Sequence, residues 1–171
     1  MADKRIFFII IFSLTLSGCG YRLARPVNPM LENINTIAIP YFKNKTFEPE
    51  AEAIFTNAFV NEFIESRRLQ VVGVADADVV LYGTVKKLHE DTIAYNLDDK
   101  ALEYRVRTTL AVFLEERKSG NVLWKRKSLK HAEEFPVGSS IVLSETAKRD
   151  ALQRIAEDLA ERVHDSIMQG F

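Results

Sequence analysis

Apolar residues recur along this chain with two regular periods. Between Thr46 and Arg67, Ala51, Phe55, Phe59 and Phe63 fall four apart, with Ile54 and Ala58 beside them. One apolar stripe at that spacing predicts a helix. Thr46 or Glu48 is its expected cap, Pro49 suits the first turn, and Glu48, Glu50 and Glu52 suit the positive end of the dipole, with Arg67 and Arg68 at the negative end. The phenylalanine row reads as core rather than a ligand box. A second stripe, Ala147, Ala151, Leu152, Ile155, Leu159, Val163 and Ile167, predicts a helix from about Ser144 to Met168, stopped by Gly170.

Elsewhere the period is two. Ile37, Ile39 and Tyr41 alternate with Thr36, Ala38 and Pro40, a strand that Pro40 places at a sheet edge or brings to an end. Leu69–Val74 reads as a short strand and Ala75–Asp78 as a turn. Val79–Tyr95 reads as a long strand whose Gly83 marks a bulge or a close approach. From Leu102, alternation is clean: Leu102, Tyr104, Val106, Thr108, Leu110, Val112 and Leu114 form the core face, and Arg105, Arg107 and Phe113 lie on the other. Lys118–Asn121 turns the chain into Val122–Lys127. A three-residue loop, Ser119–Asn121, sets Trp124 on the core face opposite Glu116, Glu115 across from Lys125 and Arg107 across from Glu133. It leaves Arg126 opposite Leu114, where the strand must fray or bulge. A two-residue loop would instead turn Lys125 and Lys127 inward. The order strand, helix, three or four strands, helix predicts an α+β two-layer sandwich. Its two helices pack on one face of a mixed four- to five-stranded sheet, and the first two strands are parallel.

The N-terminus departs from both periods. Lys4 and Arg5 precede a mainly apolar run, Ile6–Leu16, too short to span a bilayer, which takes about 20 residues. With Ser17, Gly18 and Cys19 it has the form of a secretory signal peptide closed by a lipobox. The expectation is cleavage of residues 1–18, acylation of Cys19 and a lipidated, Pro-containing tether over 19–35, leaving 36–171 as one domain. In the Gram-negative lipoproteins that this leader resembles, an aspartate after the cysteine is a common signal for inner-membrane retention; Gly20 stands there, so the resemblance implies sorting to the outer membrane. Removing residues 1–18 takes Asp3, Lys4 and Arg5 and leaves 21 basic and 23 acidic residues, a charge of −2. That balance argues against general nucleic-acid binding. The one cysteine leaves none for a disulfide.

Chemistry-bearing motifs are missing. There is no nucleophile elbow, phosphate-cradling glycine loop or zinc spacing. Asp76 and Asp78 have no third ligand at suitable spacing and suit a turn. His89, His131 and His164 are isolated in the sequence. The reading is a non-enzyme that needs neither cofactor nor metal. The feature that asks for a partner is the outer sheet face: Arg105, Arg107, Lys125 and Lys127 around Phe113 and Leu129, with Lys86 and Lys87 nearby. Guanidiniums and ammoniums beside apolar groups suit an amphiphile that carries phosphates.

Three segments carry a family resemblance: Cys19-Gly20-Tyr21-Arg22-Leu23, Ile37–Pro49 leading into a helix, and Ala77–Val85, an acidic turn entering a strand with a glycine. In that order they resemble the LPS-assembly lipoproteins (LptE). The resemblance implies an outer-membrane lipoprotein on the periplasmic side that plugs and helps assemble the β-barrel LptD and binds lipopolysaccharide without covalent chemistry. The alternative is a lipoprotein that regulates a peptidoglycan synthase or belongs to a secretion complex.

Overall fold

Both helices lie on the same face of one mixed sheet. The structure, a computed structural model, describes Asn28 and residues 31–170, so the expected cleavage site and Cys19 lie outside the described residues. The strands are β1 (Thr36–Ala38), β2 (Lys43–Asn44), β3 (Gln70–Val71), β4 (Val79–Tyr95), β5 (Ala101–Glu116) and β6 (Val122–Pro136). The helices are α1 (Ala51–Ser66) and α2 (Ile141–Gln169). The sheet order is β3-β1-β4-β5-β6, with β2 also beside β4. β1 runs parallel to β3 and β4, while β4, β5 and β6 form an antiparallel meander. This is the predicted α+β sandwich, and its sheet has six strands because pairing along β4 is divided and resumes at Lys43–Asn44, a stretch expected to be a turn.

Pro40 causes that division. It has no N–H for the ladder, and the chain leaves β4 after Ala38↔Val80 and rejoins it at Lys43↔Thr84. β1 is interior, between β3 and β4, so Pro40 ends a strand rather than marking an edge. The detour turns the Phe42 ring onto Gly83, where an added Cβ would stand 2.2 Å from the ring. Gly83 is therefore a close approach; the bulge lies further on, between Val85 and Lys87.

The core matches both stripes. Phe55, Phe59 and Phe63 of α1 and Leu152, Ile155, Leu159 and Ile167 of α2 are buried against Ile37, Leu81, Val85, Leu110 and Leu114 of the sheet. Each such side chain contributes about 1.5–3 kcal/mol on burial. The Phe42 and Phe59 rings meet at 4.9 Å.

The helix starts differ from expectation. α1 begins at Ala51 behind Glu50, which takes a left-handed conformation (φ 61°) and makes no side-chain cap. The polar residues expected to cap it satisfy one another instead: Asn44 Oδ1 accepts from the Thr46 N–H, Thr46 Oγ1 accepts from the Glu48 N–H, and Asn44 Nδ2 donates to the Glu48 carbonyl. α2 starts three residues early because Ser140 Oγ accepts from the Leu143 N–H, which leaves Ile141 and Val142 exposed in its first turn. Gly170 (φ 77°) closes α2 as expected.

The last part of the expected tether is docked. Leu31 is buried, and Asn28 Nδ2 donates to the Ile167 carbonyl at 2.9 Å. Trp124 Nε1 donates to Ser166 Oγ at 3.2 Å. The segment at Asn28, the C-terminus of α2 and the β5–β6 turn thus share one end of the domain. The β4–β5 turn and the N-terminus of α2 share the other, where the Val137 N–H donates to the Leu102 carbonyl.

Candidate functional site

The outer face of the β4–β5–β6 ribbon is bare of helices, and its pairing decides which cations meet. Trp124 faces Leu114 and Lys125 faces Phe113. This register is two residues away from the one expected from a three-residue loop: the turn, with the Glu116 N–H donating to the Asn121 carbonyl, pairs Glu115 with Val122, three residues off, and an extra residue at Leu123 restores one. Trp124 is nevertheless on the core face, as expected. The anticipated irregularity also exists: between Leu110↔Leu129 and Val112↔Arg126, β6 carries an extra residue. That bulge reverses the alternation. Leu129 packs against the core instead of lying in the outer patch, and Lys130 turns outward beside Thr109.

The four predicted cations therefore form two groups. Arg105 sits between Asp91 and Glu134 in the ladder, with its Nε 3.0 Å from Glu134 Oε1, and Arg107 pairs with Asp91. Arg107 faces Ala132, not the expected Glu133. Lys125 lies six residues along β5 from Arg107, about 20 Å away. It sits across from Phe113, whose ring stacks on Tyr82 at 5.0 Å. Lys127 lies within the bulge and is exposed.

Between the groups runs a row that the sequence pattern obscured. Lys87 and Lys130 flank Thr109 on either side, with backbones about 10 Å apart, and Arg107 lies in the next row between His89 and Ala132. These six residues line a depression of about 490 Å³. Among the described residues, neither Lys87 nor Lys130 has a carboxylate partner. Lys87 stood near the predicted patch, but Lys130 was missed. The signal for it was indirect: Arg126 and Lys130 cannot both share a core face with Trp124, so the alternation had to break between them.

The acidic and histidine residues hold the fold. Asp78 Oδ2 accepts from the N–H groups of Asn35 and Thr36, each at 3.1 Å, and from Thr36 Oγ1 at 2.8 Å. The backbone donor of Asn35 first, then the Thr36 hydroxyl and amide, hold its carboxyl below the usual carboxylate range. His131 lies 3.3 Å from Glu133 and 3.2 Å from Asp158, tying β6 to α2. Lys148 Nζ stands 3.1 Å from both Glu48 and Glu145, fastening α2 to the loop before α1. Burial opposes its charge, but the hydrogen bonds it donates to Glu145 and Glu48 outweigh that and raise its pKa. Among the described residues no cluster of His, Cys, Asp and Glu could hold a metal ion. Within the same residues no helix is long and apolar enough to cross a membrane.

A sheet with one face covered by two helices and the other left bare is a two-layer α+β sandwich. Solved structures share the fold. Protein XCC0632 from Xanthomonas campestris superposes with a TM-score of 0.55 at 13% identity, covering 79% of this chain and 85% of that one. The hypothetical protein CT253 from Chlamydia trachomatis gives 0.53 at 12% identity, covering 78% and 98%. The uncharacterized lipoprotein B from Nitrosomonas europaea gives 0.50 at 11% identity, covering 76% and 82%. No curated protein matches the chain. The lipopolysaccharide-assembly family, LptE, matches residues 34–167, and this chain belongs to it.

Proposed function

We propose that the protein is an outer-membrane lipoprotein on the periplasmic side, cleaved after Gly18 and acylated at Cys19. In this reading it plugs and helps assemble the β-barrel LptD and binds lipopolysaccharide in transit. The role is non-enzymatic: the domain binds and blocks without making or breaking bonds. Arg105, Arg107, Lys125 and Lys127 are the proposed lipopolysaccharide contacts, and Lys87 and Lys130 complete the track between them. The carrying observation is the row Lys87–Thr109–Lys130, two ammoniums with no carboxylate partner beside the Arg107 guanidinium on a bare sheet face. Phosphates on an amphiphile suit that arrangement, because charge-assisted hydrogen bonds are the strong ones. The Tyr82–Phe113 stack beside it offers apolar surface.

The binding test is titration of lipopolysaccharide against the purified protein. Neutral substitutions are preferred, since a glutamate at 105 or 107 would face Glu134 or Asp91. Arg105→Gln with Arg107→Gln, and separately Lys87→Gln with Lys130→Gln, should each weaken binding about tenfold or more while leaving the unfolding midpoint nearly unchanged. Unaltered affinity in both double variants would remove this face from the site. Recovery with a large barrel from detergent-solubilised outer membranes tests the LptD partnership; recovery with a peptidoglycan synthase alone would contradict it.

A further inference from the structure

The two ends of the domain differ in kind. Exposed large apolar side chains gather at one, where Tyr95, Leu97 and Leu102 surround the β4–β5 turn and Ile141 and Val142 open α2. The other end, with the β5–β6 turn, carries the consecutive cations Lys125, Arg126 and Lys127, all exposed. Among the described residues none of the three has a carboxylate partner. The Arg126 guanidinium is held over the Trp124 ring, 5.4 Å from its centroid. Of the acidic groups at this end, Asp78 is engaged by Asn35 and Thr36 and Glu116 by the Ser119 hydroxyl, while Glu32 and Asp76 are exposed.

We infer that this cationic end is a bilayer-facing surface that docks on anionic phospholipid headgroups through Lys125, Arg126 and Lys127 when lipopolysaccharide does not occupy the two lysines. The inference rests on the proposed acylation of Cys19, which brings the domain to the bilayer. The chain reaches the described domain at Asn28, whose side chain is tied to the Ile167 carbonyl at this same end. Eight residues lie between Cys19 and Asn28, so the two are at most about 32 Å apart. β4 alone, with 17 residues, is about 55 Å long, so the tie holds the cationic end near the lipid while the far end is free to point away. Contact is at headgroup level: Val122 is an exposed apolar side chain beside this turn, whereas the larger group Tyr95, Leu97, Leu102, Ile141 and Val142 lies at the opposite end. Basic residues near a surface of anionic lipid are attracted over about a Debye length, so the docking is sensitive to salt.

Two residues of the chain make the test direct. Cys19 is the single cysteine, and Trp124, at the docking end, is the single tryptophan. The mature chain is coupled through Cys19 to a maleimide lipid in vesicles, and Trp124 emission is read with nitroxide groups placed on the lipid headgroups. Quenching should be at least twofold greater in phosphatidylglycerol-rich vesicles than in phosphatidylcholine vesicles. High salt, or Lys125→Glu with Lys127→Glu, should reduce it to the phosphatidylcholine level. A chain with Trp124→Phe and Leu97→Trp, whose one indole is at the far end, should stay unquenched in both. Equal quenching in the two vesicle types, full quenching in the double variant, or quenching of the far-end indole would each overturn the assignment. Circular dichroism of each variant shows that it is folded before it is scored. The acylation reading fails separately, if the Cys19 peptide from cells carries no acyl mass; the coupled vesicles report on the docking surface either way.

Discussion

The two faces of the β4–β5–β6 ribbon are made by one alternating sequence, yet they are held by different forces. The inner face buries Val106, Leu110, Val112 and Leu114 under the two helices, where contact is apolar and non-directional. The outer face has no such cover, and its side chains are arranged by pairing: Arg105 with Glu134, Arg107 with Asp91, Tyr82 with Phe113. The inner face therefore sets stability. The outer face contributes little to it and stays available for ligands, because exposed ion pairs contribute only about 0–1 kcal/mol each.

Substitutions can break that contrast. The largest effect should come from Phe59→Ala, which empties a fully buried site beside the Phe42 ring and should cost about 3–5 kcal/mol, read by chemical denaturation. Gly83→Ala should follow at about 1–3 kcal/mol, since its Cβ would meet the Phe42 ring at 2.2 Å. Recovery of stability in the Gly83→Ala chain when Phe42 is shortened to leucine would attribute the loss to that contact.

Asp78→Ala should cost about 1–2 kcal/mol at neutral pH by leaving the Asn35 and Thr36 amides without their acceptor. Its pH dependence has a definite sign. The folded pKa of Asp78 lies below the unfolded one, so its contribution is complete above the unfolded value of about 3.9 and is lost as pH falls through the folded value. The stability gap between the native chain and the Asp78→Ala variant should therefore narrow on acidification; a constant gap would show that the charge on Asp78 is immaterial. The smallest effect belongs to the outer face. Arg105→Gln should change stability by less than about 1 kcal/mol, and a larger loss in thermal unfolding would mean that this face is structural after all.

Much of the architecture could be read directly from the residues. The four-residue spacing of Phe55, Phe59 and Phe63 identified the buried side of α1, and the β4 limits at Val79 and Tyr95 agree with its run of strand-forming residues. Helix stripes and strand alternation are legible because burial acts on one residue at a time: each apolar side chain prefers the core whatever its partner. The sulfur at Cys19 and the apolar leader were likewise sequence features, and they lie outside the described residues.

What the tertiary structure alone decided was pairing. The β6 bulge turned Leu129 inward and Lys130 outward to one side of Thr109, and the β4 bulge between Val85 and Lys87 brought Lys87 to the other. Asn44 drew in Thr46 and Glu48 and so moved the start of α1 to Ala51. Asn28 tied the incoming chain to the end of α2. Each depends on which two groups, distant in the chain, come within hydrogen-bond or ladder reach. A one-residue change of register inverts every side chain beyond it, and alternation by itself carries no record of where that change falls.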